Sequence, residues 1–446
     1  MSTVPKLLTR LEDLLLTEQK EEKKWDGTTE LSNLLQMVND YSINKYRRRE
    51  LIQHKALDLF VPALLQHHSD ANLITVLKIL SHLATNSDAT RRQIHAAGGV
   101  TLAADHVGNP STAPSAWKFL GHLALSRECA ITIIQDTQQA MVTALLASSS
   151  SSSSSRDQEV PIIREVMATV SNLAGHVDCH LALQEMILEP LCTAMQRHVD
   201  NAGIQMYACQ VWWNILANVD PRRKKKDPVP GVMKVWYDND VLACLTKTIQ
   251  THADRSGVQE AACGALSVVA WKPKEDDAAR GATVPFVWST MKRFPDQVAV
   301  LTQSCRALAN LCRECTVAQS VIVDTDLVLL HKASLLSVEQ SKAELATAVL
   351  DIHASLALSS KAACTKLVDA HAVEDTAKCL RTFVDPMVAD AACLVLWAVA
   401  HHYGKYVSEV CRPDVESALE THGEEQIRYG ARLVKRLNWK ERFGRR

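Results

Sequence analysis

Cys312-Arg-Glu-Cys315 has the spacing at which two thiols form a redox couple or hold one side of a zinc ion. Zinc needs a second ligand pair, and none lies nearby. Cys312 also ends an apolar helical stripe, where a thiol packs as a small core residue. His176, Cys179 and His180 are spaced to share one helical face and capture a metal. Their place in a polar turn favours incidental surface histidines. His67-His68 and His401-His402 carry no further pattern. The Gly-x-Ser-x-Gly elbow, the phosphate-binding Gly-x4-Gly-Lys-Ser/Thr loop, Gly-x-Gly-x-x-Gly and His-Glu-x-x-His are all missing from the sequence. The residues therefore point away from an enzyme, and no catalytic residue, metal or cofactor is expected.

Composition narrows the rest. A net charge of −1 over 446 residues gives no global field for nucleic acid or membrane, so any electrostatic preference is local. Arg222, Arg223, Lys224, Lys225 and Lys226 form the one dense cationic run, flanked by Pro221 and Pro228. It has the form of a monopartite nuclear-targeting signal or a polyanion patch. No aromatic residues are interleaved with it, which argues against nucleic acid as the main partner. Thirteen cysteines without a clustered framework, and no Asn-x-Ser/Thr acceptor with a permitted middle residue, point to reduced thiols in a cytoplasmic protein, with nuclear targeting as the alternative. No stretch approaches 18 apolar residues, so no transmembrane segment is expected.

The elements that would position any site are set by a recurring phrase. Leu80-Ser-His-Leu-Ala84 returns as Leu120-Gly-His-Leu-Ala124, Val170-Ser-Asn-Leu-Ala174, Trp212-Trp-Asn-Ile-Leu216 and Leu266-Ser-Val-Val-Ala270. Leu308-Ala-Asn-Leu-Cys312, His353-Ala-Ser-Leu-Ala357, Leu396-Trp-Ala-Val-Ala400 and Val434-Lys-Arg-Leu-Asn438 continue it. The last residue of each copy, here the anchor, recurs at intervals of 40, 50, 42, 54, 42, 45, 43 and 38. Repeats of about 40–47 residues in helical pattern predict an α-solenoid, in which each unit buries its apolar face only against neighbours. The positions four and one before the anchor are apolar in nearly every copy, His353 being the exception. Cys209, Cys263, Cys305 and Cys393 share a phase seven before it and are expected in the core, as are Trp117 and Trp212.

After each phrase comes a polar turn, a short helix and a second apolar helix, as in Asn86 to Val100. With Gly98-Gly99 at the sharp turn, this resembles the armadillo-repeat family over about Glu30 to Trp439. Other copies place Asp238 to Asp240, Asp324 to Asp326 or Glu189-Pro190 at the turn. The resemblance implies an all-α, right-handed armadillo-type helical solenoid of about nine to ten three-helix repeats. Residues 1–29 read as an amphipathic cap helix and 30–439 as the solenoid. Loop insertions are expected at 148–158, where Ser148 to Ser155 are eight serines, and at 221–235. Residues 440–446 read as a basic tail.

The family's third helices line a concave groove, and in this sequence the groove-facing positions lie six and two before each anchor. They form a ladder: Lys78/His82, Lys118/His122, Ala168/Asn172, Gln210/Asn214, Gly264/Val268, Arg306/Asn310, Asp351/Ser355, Leu394/Ala398 and Arg432/Arg436. The resemblance implies that Asn172, Asn214 and Asn310 clamp the backbone of an extended peptide. The tryptophans with which import receptors cage lysines are replaced here by Lys, Ala, Gln and Arg, so basic import signals are not the expected cargo. Lys78, Lys118, Arg306, Arg432 and Arg436 would attract carboxylate or phosphate, as the basic grooves of catenin-like members do. The expected function is a protein-binding scaffold or adaptor for acidic or phosphorylated segments. The alternatives are a structural subunit of a cytoskeletal or flagellar assembly held through its outer face and, third, a nuclear transport adaptor.

Overall fold

In most described copies the repeating phrase closes a helix; Leu396 to Ala400 instead lies inside helix Pro386–His422, three residues before its kink at Tyr403. The computed structural model describes residues 4–20, 28–63, 69–147, 153–217, 231–269, 276–325 and 327–437, and every regular element among them is a helix. Asp70–Ala84, Ser153–Ala174, Val298–Cys312 and Ala343–Ala357 each stop on their anchor residue. Ala113–Leu123 stops one residue short of Ala124, its C-cap. These are the third helices of successive repeats. The described residues up to Asn239 form one compact unit and those from Asp240 a second. In each, a third helix packs on the third helix of the next repeat.

Local chemistry explains the rest of the repeat. Ser87 accepts from the Thr90 amide and starts helix Asp88–Ala96. Gly98 then turns the chain at φ +81°, and Gly99 lies so close to Ile94 that a β-carbon would stand 2.9 Å from its carbonyl oxygen. Helix Gly99–Ala104 follows at once. Ser360 repeats the cap on helix Lys361–Asp369, and His371 takes the left-handed turn at φ +63°. Asp240 does so at φ +46°, as the Asp-Asn-Asp substitution predicts.

Four expectations need correction. Three repeats lack the break between first and second helices: Arg127–Leu146 and Asp277–Arg293 are each continuous, and Pro386–His422 runs on unbroken after its kink at Tyr403. Asp136 stands as far past its anchor as Asp324 does in a later repeat, yet it stays helical, and Pro285 does not end its helix. No turn opens at Glu189-Pro190, because the backbone stays helical from Val177 to Arg197. Leu183–Ile187 is a π-helical turn, and Pro190 sits in the first turn of Leu188–Arg197, where a missing amide proton costs nothing. Of the insertion expected over 148–158, residues 148–152 lie outside the described residues, and helix Ser153–Ala174 already includes the last three serines. Of that expected over 221–235, residues 221–230 lie outside them, and Gly231, at φ +107°, caps helix Val232–Asp238.

The core follows the stripe. Leu80, Leu83, Leu120, Leu123, Leu308, Leu311, Leu396 and Val399 are fully buried, as are Trp117 and Trp212. Cys209, Cys263, Cys305 and Cys393 are buried too, and burial pushes the last three thiols up to about 12. All four should therefore resist a thiol reagent in native protein at pH 7.5 and react on unfolding. Rapid native labelling, read by intact-mass spectrometry, would overturn the helical register.

His353 occupies a leucine position of the stripe. It is 2% exposed, its Nδ1 has no partner, and burial lowers it to about 4. The unfolded chain would protonate it near 6.5, so below that pH the unfolded state binds the extra proton. Stability is complete above about pH 6.5 and falls as pH drops toward 4, by up to on the order of 3 kcal/mol. His353→Leu should flatten this part of the profile. Urea midpoints of the two proteins at pH 7 and pH 5 would show the gap between them widening at pH 5. A constant gap would refute the assignment.

Candidate functional site: the third-helix face

In the first unit, Lys78 on helix Asp70–Ala84 and Lys118 on helix Ala113–Leu123 are exposed. Arg48, on helix Lys45–Gln53, is half-buried, with its Nε buried and unpartnered. None of the three forms an ion pair among the described residues. Their charges meet at the histidines between them. His82 is lowered first by burial, then by Lys118, Arg48 and Lys78, while its Nδ1 stands 2.7 Å from the Ser42 hydroxyl. His122 is lowered to about 4 by burial, then Lys118 and His82. Both histidines are therefore neutral at neutral pH, and the patch draws its positive charge from Arg48, Lys78 and Lys118.

The position two before the anchor does something else. Asn172 Nδ2 donates to the Gly121 carbonyl at 2.9 Å, and Asn214 Nδ2 to the Ser171 carbonyl at 3.0 Å. Asn310 Nδ2 donates to the carbonyls of Leu266 and Val269, at 2.9 and 3.0 Å. Arg436 repeats the reach with Nη1 2.6 Å from the Trp397 carbonyl. The acceptors of the three asparagines lie at the end of the preceding third helix, whose final carbonyls have no intrahelical donor, whereas Trp397 lies inside helix Pro386–His422. The asparagines are thus ties between repeats. Asn310 is only 6% exposed and both its amide protons are used, so it has no donor left for a peptide backbone. Gln210 accepts from the Ser171 hydroxyl at 3.1 Å.

The second unit carries less free charge along this face. Arg306 faces Glu344 at 3.8 Å, which offsets it. Arg432 lies over the Tyr429 ring at 5.0 Å, Arg436 over the Trp397 ring at 4.1 Å, and the two rings are 6.0 Å apart. These guanidiniums form a stack with the aromatics, and among the described residues neither has a carboxylate partner.

A second set of ties escaped the sequence reading. Arg91 donates to the Ala84 carbonyl, Gln319 to that of Cys312 and Cys364 to that of Ala357. In all three the donor stands seven residues beyond the anchor whose carbonyl it caps, a constant offset that could have been read from the sequence. His180 Nε2 lies 2.8 Å from the Ala174 carbonyl and His176 Nε2 2.8 Å from that of Ala124. These histidines are therefore caps, not incidental surface residues, and His180 is 1% exposed. Among the described residues no group of three His, Cys, Asp or Glu side chains is placed to hold a metal. No helix among them is long and apolar enough to cross a membrane. Arg222 to Lys226 and His67-His68 lie outside the described residues.

Known structures share this arrangement of helices. The crystal structure of an engineered protein superposes with a TM-score of 0.72 at 19% identity, covering 98% of this chain and 99% of that one. A structure described as showing that a conserved phosphorylation switch controls the interaction between cadherin and beta-catenin superposes at 0.64 and 15% identity, covering 95% of this chain and 82% of that one. The fold is an armadillo solenoid. No protein-family model and no curated protein matches the sequence. At these identities the likeness is one of architecture, and the armadillo fold leaves the ligand open.

Because the asparagines tie armadillo repeats together, removing one should cost folding stability before it costs binding. Asn310→Ala leaves two carbonyls in a buried site without their donor and should destabilise by about 1–3 kcal/mol. Asn172→Ala, at a half-exposed position, should cost about 1 kcal/mol or less. Chemical denaturation of the three proteins measures this directly. Equal stability of wild type and Asn310→Ala would reject the tie.

Proposed function

We propose that the chain is a non-enzymatic protein-binding scaffold whose third-helix face holds an extended acidic or phosphorylated segment, gripped first in the amino-terminal unit. The observation that carries this reading is the cluster of Arg48, Lys78 and Lys118. Three cations converge on neutral His82, Lys118 also reaches neutral His122, and none of the three has a carboxylate partner among the described residues. Elsewhere the arginines are mostly balanced: Arg92 by Asp88 and Glu128, Arg127 by Asp178, Arg293 by Asp254, and Arg381 by Asp414. A cluster of cations with no carboxylate partner among the described residues suits an anionic partner. The architectural likeness to the cadherin and beta-catenin structure, with its phosphorylation switch, supports the same class of partner.

The reading also revises how the segment would be held. Asn310 is removed from the contact set, and Asn172 and Asn214 contribute their half-exposed edges beside Lys118 and Gln210. Charge-assisted contacts from the cations would carry the affinity, with Arg432 and Arg436 as a separate cationic station in the second unit.

The test is fluorescence anisotropy with extended Glu-rich peptides, each made with and without phosphoserine. Binding should fall steeply between 50 and 300 mM salt, because exposed charges are screened over about 10 Å at 0.1 M. Lys78→Glu with Lys118→Glu should weaken capture on the order of tenfold or more at low salt. If no acidic or phosphorylated peptide binds, or the double variant binds as well as wild type, the third-helix face of this unit is not the site. A structural role through other surfaces would then take precedence, with exposed Val384 and Met387 as its starting point.

A further inference from the structure

A second concavity in the first unit has a different chemistry. Its volume is about 450 Å³, and it lies between the turn before helix Ala113–Leu123, the end of helix Arg127–Leu146 and the start of the described part of helix Ser153–Ala174. Its walls are apolar: Val107, Ala140, Ala144, Ile162 and Ile163. The space exists because helix Arg127–Leu146 turns alanines toward it where larger side chains would have filled it. Glu159 lines the same cleft, and its Oε2 is buried with no hydrogen-bond partner. Thr143, also in the lining, donates its hydroxyl to the Gln139 carbonyl and so offers that oxygen nothing.

A carboxylate oxygen removed from water without a donor is costly, and an ionised carboxylate can only accept. The group that resolves this must donate and carry positive charge. A hydrated metal ion does not suit walls made of alanine and isoleucine. A single ammonium on an apolar body does, with the head on Glu159 and the body against the alanine wall. The volume is within the range of small-molecule pockets. We propose that this cleft binds a small amphiphilic amine, held by an ammonium–carboxylate contact to Glu159 Oε2 and by apolar burial between residues 140–144 and 162–163. None of the residues assigned to the peptide face lines it, so it stands or fails separately from that reading.

The experiment is isothermal titration of the full chain at pH 7.5 with three isosteres: phenylbutylamine, phenylbutanol and phenylbutyrate. The amine should bind most tightly, the alcohol more weakly and the acid least. Glu159→Gln should weaken the amine by about tenfold to a hundredfold, the range of a hydrogen bond to a charged group, and leave the alcohol unchanged. Retained alcohol binding shows that the cleft is intact in that variant. Ala144→Phe, which fills the cleft, should abolish binding of both, with an unchanged urea midpoint as the folding control and Ala140→Leu as the milder substitute. The proposal is overturned if the amine fails to bind, if it binds no better than the alcohol, or if Glu159→Gln leaves its affinity intact.

Discussion

The last turn of each third helix is the constraint from which the repeat is organised. Four carbonyls at a helix end have no intrahelical donor, and here those ends are buried between repeats, where water cannot serve them. Side chains supply the donors from two directions: from the next third helix, at the position two before its anchor, and from the following first helix, seven residues past the anchor. The stripe of leucines supplies most of the burial free energy. The ties set the register in which the stripes meet, because a neutral hydrogen bond adds only about 0.5–1.5 kcal/mol but a missing one leaves a buried carbonyl unmet.

This division of labour explains what the sequence revealed and what it did not. Period, anchor and buried stripe could be read directly, because apolar spacing and helix geometry are local properties. The cysteine column followed from the same phase, and Gly98 from the left-handed turn that it permits. Asn172, Asn214 and Asn310 each turn an amide donor toward the preceding helix, which the sequence does not display. An amide looks the same in sequence whether its partner is a ligand or the preceding helix, and only the distances of Asn172, Asn214 and Asn310 to neighbouring carbonyls separate the two. The fused helices Arg127–Leu146 and Asp277–Arg293 were not legible, because a residue that can turn the chain, such as Asp136, can also be carried inside a helix.

Net composition likewise conceals the electrostatics. A charge of −1 averages over arginines held in ion pairs, such as Arg127 and Arg293, and cations without one, such as Lys78 and Lys118. Exposed pairs such as Arg127–Asp178 contribute little stability, about 1 kcal/mol or less. Between Arg48, Lys78 and Lys118, the neutral His82 and His122 add nothing to the repulsion.

Arg280 gives the chain a direction in time. Its guanidinium is 1% exposed and is satisfied by the carbonyls of Asn310, Leu311 and Arg313, with Asp277 beside it. The asparagine ties reach back to helices already made, so each can close as its own helix forms. Arg280 reaches forward, to acceptors as many as 33 positions later. At about 5–20 residues per second, a ribosome needs on the order of seconds to deliver them. Until then the helix carrying Arg280 holds a cation that cannot leave water, and its repeat waits, half-docked, for the one after it.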